Sequence, residues 1–180
     1  MQRIMFIRIA LSLLALCLLG NSFAAQTKRR EHLTPEETDR VRDAQLADER
    51  AKVFVKAAER RFLALTNPNA ATSKESVKDV ALWGAFPVGT RAELLGDLAG
   101  IIDEAINNID AVAERKPDDK LLPKAVRALS AGCKRWLPAL EAMRDSAKGA
   151  EKNPLEEAIE YAQSVVEAES KVPPEEKKKP

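Results

Sequence analysis

The chain has 180 residues, with 29 Lys and Arg against 28 Asp and Glu, one His and two Cys. A net charge of +1 leaves no basic excess to neutralise a phosphate backbone, which argues against a dedicated nucleic-acid binder. Hydrophobic residues at 45% are a globular fraction, and aromatics at 4% with abundant Ala, Leu, Glu, Lys and Arg favour helix over strand.

Residues 1–24 read as a secretory signal peptide. Arg3 and Arg8 are the positive region, Ile9 to Leu19 the apolar one, and Ser22-Phe23-Ala24 puts small residues at −3 and −1, so cleavage is expected after Ala24. The apolar run is shorter than the roughly 20 residues needed to cross a bilayer. Lipoprotein processing at Cys17 is disfavoured because the preceding Leu14-Ala15-Leu16 puts a bulky Leu where a small residue is wanted. Removal of residues 1–24 leaves 27 basic and 28 acidic residues and a single thiol, Cys133, so no internal disulfide is available. Periplasmic or extracellular localisation follows. Residues 25–33 are expected to be a flexible N-terminus, 34–172 a helical domain and 173–180 a disordered charged tail.

Thr34-Pro35-Glu36-Glu37 combines an N-cap, Pro at the first helical position and Glu three residues after the cap. It predicts a helix over about 35–45, with a break near Gln45-Leu46-Ala47. A second run reaches about Leu65, with Ala51, Phe54, Val55, Ala58, Phe62 and Leu65 at helical spacing. Asn67-Pro68-Asn69 ends it. Ser73 to Leu82 fits a short helix with Val77, Val80 and Ala81 on one side. Trp83-Gly84-Ala85-Phe86-Pro87 reads as a packed connector whose two aromatics cap the bundle.

Thr90-Arg91-Ala92-Glu93 is a second capping box. Behind it, Leu95, Leu98, Ile102, Ala105, Ile109 and Val112 mark a helix over about 91–115. Pro123 opens a further helix whose seam is Leu122, Val126, Leu129, Cys133, Trp136, Leu140 and Met143, with Pro138 expected to kink it. Asn153-Pro154-Leu155-Glu156 starts the last helix, with Leu155, Ile159, Ala162 and Val166 inward, and Val172-Pro173-Pro174 stops it. The predicted fold is all-α: an antiparallel four-helix bundle with a short additional N-terminal helix, its short loops favouring antiparallel neighbours.

Candidate sites are few. Cys133 lies on an apolar seam and reads as a buried core residue rather than a redox thiol. His32 reads as a solvated tail residue. One His and one Cys cannot build a haem attachment, a di-iron helix pair or an ordinary zinc site. Asp97, Glu104, Glu114, Glu156, Glu157, Glu160 and Glu167 read as a solvated face rather than acid–base pairs. Gly96 and Gly100 read as a place where a neighbouring group comes close. Lys28-Arg29-Arg30 and Lys177-Lys178-Lys179 read as solubilising termini. No catalytic, cofactor-binding or metal residue is assigned.

The stretch from Leu33 to Gln45, with Asp48-Glu49-Arg50 and Ala57-Ala58-Glu59-Arg60-Arg61, resembles a group of uncharacterised exported all-helical bacterial proteins. Leu122-Pro123-Lys124-Ala125 and Leu137-Pro138-Ala139-Leu140 are similar too. The resemblance implies an all-α exported protein and transfers no functional residues. A second resemblance, of Leu33-Thr34-Pro35-Glu36-Glu37 to periplasmic stress chaperones of the Spy/CpxP type, departs from their motif by Glu in place of Gln. The expected function is non-enzymatic, through contacts with another protein in the periplasm. The alternatives are envelope or lipid-surface binding and chaperone-like action, with an enzyme ranked last.

Overall fold

The computed structural model describes residues 30–173. Residues 1–24, where a signal peptide is expected, with Cys17 among them, and the tail from Pro174 onward lie outside the described residues. Within that range the protein is all-helical, with no strand. Its helices are α1 (Pro35–Asp43), α2 (Ala47–Thr66), α3 (Lys74–Trp83), α4 (Arg91–Arg115), α5 (Leu122–Met143) and α6 (Lys152–Ser170).

The helix starts are set by side-chain caps. Thr34 and Thr90 each accept from the backbone N–H three residues on, and Glu37 and Glu93 reach back to the cap N–H, completing both capping boxes. Ser73 caps α3 by accepting from the Ser76 backbone N–H, without the reciprocal bond. α1 and α2 are separated by the expected break at 44–46. α5 continues unbroken through Pro138. The start of α6 differs from expectation. A short 3-10 turn, Gly149–Glu151, feeds directly into the helix at Lys152, so Asn153 lies inside it rather than capping it.

Helices α2, α4, α5 and α6 form the packed core, each touching two others extensively: α2 with α4 and α5, α6 with α4 and α5. Phe54, Leu95, Leu98, Ile102, Leu129, Trp136, Leu140 and Ile159 are all buried there. Side-chain contacts join these helices. Arg50, early in α2, reaches Asn108, late in α4, at 3.3 Å. Gln163 of α6 reaches Glu141 of α5 at 3.2 Å, and Ser130 reaches Glu169 at 2.9 Å. α2 and α5 run alongside each other, Val55 lying near Gly132 and Glu59 near Trp136. α4 and α6 do the same, from Gly96 beside Pro154. α4 and α5, although joined by a short turn, touch only marginally. The turn is long enough to carry the chain across the core instead of between neighbours.

Three stripes depart from the predicted seams. In α2 the buried positions include Arg60 and Arg61, while Phe62 and Leu65 are half-buried. In α6 Val165 is buried and Val166 half-buried. The α4 stripe is fully buried only as far as Ala105; Ile106, Ile109 and Val112 are half-buried.

Candidate functional site

The most polar place in the interior is where α1, α2 and the 83–87 connector meet. Glu37 is wholly buried, and both Arg60 and Arg61 donate to its Oε1. Its other oxygen accepts from the Thr34 backbone N–H at 3.0 Å. Arg60 then donates to three successive carbonyls, of Trp83 at 2.7 Å, Gly84 at 3.0 Å and Ala85 at 2.6 Å, and its guanidinium lies 5.9 Å from the Phe86 ring centroid. Arg61 donates to the Ala57 carbonyl at 3.3 Å and to the His32 carbonyl at 2.6 Å. A buried guanidinium is tolerated only when its donors are occupied and its charge is countered. This arrangement supplies one carboxylate and five backbone carbonyls for two charges and leaves the buried Arg61 Nε without a hydrogen-bond partner. It fastens the N-terminal segment and the connector to α2.

The connector turns sharply at Gly84, whose φ of +66° favours glycine, with the exposed Glu36 carboxylate lying beside its α-carbon. Trp83 and Phe86 are half-buried and Pro87 is buried, as a packed connector requires. α3 is different: none of its residues is buried. Val77 is 61% exposed, Val80 50% and Leu82 56%, and Val88 beyond the connector is 76% exposed. α3 is held from its polar side. Lys56 of α2 pairs with Asp79 at 2.7 Å, and Arg40 of α1 donates to the Leu82 carbonyl at 3.1 Å.

His32 is corrected from a solvated tail residue to a half-buried one. Its Nε2 lies 2.6 Å from Glu104 Oε2, and its ring covers Gly100, where an added Cβ would sit 3.0 Å from it. The glycine at position 100 leaves the space the imidazole fills. Cys133 is fully buried, and burial pushes its thiol up to about 12. Among the carboxylates read as a solvated face, Glu114, Glu156, Glu157, Glu160 and Glu167 are exposed. Glu156 takes two donors from Arg144, at 3.0 and 2.8 Å, and the Lys171 ammonium holds Glu167 below the usual carboxylate range. Asp97 corrects that reading: it is buried, because it lies on the inward side of α4 among Leu94, Leu95 and Leu98. Glu104 is the partner of His32.

Sequence reasoning missed two polar clusters besides the Glu37 clasp. Glu59 accepts from Trp136 Nε1 at 2.7 Å and from Arg135 at 3.3 Å, tying α2 to α5. Glu169 accepts from buried Ser130 at 2.9 Å and from Lys134, and these donors, Lys134 first, keep its carboxyl below the usual range. No local signal exposes such pairs, since the partners lie dozens of residues apart. Among the described residues no group of three or more His, Cys, Asp or Glu is placed to hold a metal ion, and no helix is long and apolar enough to cross a membrane. Comparison with family models, curated proteins and solved structures gives no match.

Proposed function

We propose that this chain is an exported, non-catalytic four-helix bundle that acts through protein contacts made by α3 and the connector behind it. α2, α4, α5 and α6 are the four helices, successive ones running in opposite directions, and α1 and α3 are additions to one end. The observation that carries the reading is the concentration of exposed large hydrophobics. Four of the five among the described residues, Val77, Val80, Leu82 and Val88, fall within one short segment. Clustered exposed apolar side chains mark contact surfaces, whereas scattered ones need no explanation. The Arg60 clasp supports the reading, because a surface held rigid before binding loses less entropy when bound. The charged side chains that converge in this fold also support a scaffold: Glu37, Glu59 and Glu169 spend their hydrogen-bonding capacity joining helices.

A photo-crosslinking residue placed at Val80, Val88 or Glu160 in the envelope-localised protein tests this. Discrete protein adducts are expected from positions 80 and 88 and not from 160. Equal adducts from all three would refute a localised surface. Flotation with anionic liposomes, lost on Val80→Asp, would make the segment a lipid-surface anchor instead. Mass spectrometry of the same material tests export, which requires an N-terminus at Ala25.

A further inference from the structure

A half-open pocket of about 240 Å³ lies between α4, α5 and α6, lined by Ile106, Ile109, Val126, Leu129, Val165 and Ala168 with the exposed Asp110 and Ser164. It lies where the α4 stripe loses full burial. Apolar cavities of about 150 Å³ already take up benzene-sized molecules, so this one accommodates a larger apolar group. Its chemistry is one-sided. Asp110 is an acceptor when ionised, and no cationic side chain lines the cavity. Ser164 donates its hydroxyl proton to the Tyr161 carbonyl at 2.8 Å, which leaves its oxygen lone pairs as acceptors. Both polar side chains therefore accept hydrogen bonds, and the lone charge is negative.

We propose that this cavity binds a single-chain amphiphile, its apolar chain against Ile106, Ile109 and Leu129 and a protonated amine at Asp110 and Ser164. A carboxylate or phosphate head is disfavoured there, because it would meet a like charge and the one hydroxyl donor is already given to the Tyr161 carbonyl. An ammonium satisfies both groups and gains a charge-assisted hydrogen bond. Such sites, apolar with a few placed polar groups, are the usual form of a small-ligand pocket. This proposal is independent of the α3 contact surface.

The test uses octylamine, octanol and octanoate at concentrations below micelle formation, with the mature protein and backbone amide shifts by NMR as the readout. Octylamine is expected to bind most tightly, octanol about tenfold more weakly, and octanoate not at all, with shifts centred on residues 106–110 and 164–168. Asp110→Asn is expected to bring octylamine down to the level of octanol. Ala168→Phe, at an exposed position on the cavity wall, is expected to weaken both while circular dichroism stays native. Octanoate binding as tightly as octylamine would overturn the proposal. So would octylamine affinity that is unchanged in both variants, shifts centred elsewhere, or no binding by any of the three compounds.

Discussion

Replacing Glu37 by Gln leaves Arg60 and Arg61 buried with no counter-charge, while the amide oxygen can still serve the Thr34 cap. Breaking a buried ion pair from one side costs about 3–5 kcal/mol, and that loss of unfolding free energy is expected in urea titrations. Arg144→Ala removes a two-pronged but solvent-exposed pair with Glu156 and should leave the urea midpoint nearly unchanged. A result in which both variants behave alike would show that the clasp is not buried in solution. Glu37 also shows where local reading stops. Its role in the capping box is legible from a spacing of three residues, yet its second oxygen serves partners 23 and 24 residues away. An arginine beside an apolar stripe reads as the polar flank unless its distant partner is known.

Cys133 was legible as a core residue because its seam is regular on both sides. In the native protein its thiol is expected to resist alkylating reagents near neutral pH and to react once unfolded in urea. Cys133→Ala should cost about 1 kcal/mol, and Cys133→Asp far more. The thiol has a raised pKa in the folded state, so folding favours its protonated form. That contribution is complete below the unfolded value of 9.0 and is lost as pH rises toward about 12. Stability of the wild type should fall more steeply over that window than stability of Cys133→Ala, as measured by urea midpoints at successive pH values.

At the scale of the helix, two glycines that look alike in sequence have different surroundings. A Cβ at Gly96 would meet only Pro154, at 3.9 Å, whereas at Gly132 it would sit 2.9 Å from the Trp136 ring and 3.3 Å from Val55. Gly96→Ala is therefore expected to stabilise by about 0.5–1 kcal/mol through helix propensity. Gly132→Ala should destabilise by about 1–3 kcal/mol through overpacking. Thermal midpoints decide between them, and a stabilising Gly132→Ala would contradict the close packing of α2 on α5. Helix boundaries were legible wherever a cap side chain announced them, at Thr34, Ser73 and Thr90. The start of α6 was not, because a 3-10 turn supplied the first bonds before any cap residue. α3 could be read as amphipathic, but which way its apolar side faced depended on the Lys56 and Arg40 contacts from other helices.

At the scale of the molecule, the all-α class was legible from periodicity, and helix order around the core was not. Short loops suggest that sequence neighbours pack together, and the α4–α5 turn departs from this. Its consequence concerns how the chain could be divided. α2 with α4, and α5 with α6, are two closely packed pairs, and the turn at 116–121 joins helices that share little surface. Most of the adhesion between the two pairs runs through side-by-side helices, α2 on α5 and α4 on α6, and owes little to the covalent link. Lys116, Pro117 and Asp118 are exposed, so cutting there disturbs little packing. Fragments 25–117 and 118–180, produced together, are expected to reassemble one-to-one with the intact protein's circular dichroism spectrum, as judged by size-exclusion chromatography. Produced apart, each presents half of an unfilled core and should aggregate or remain loosely structured. Fragments that fail to associate would show that the turn holds the two pairs together; fragments that do would make this protein divisible between α4 and α5, a place where the sequence alone suggests a hairpin.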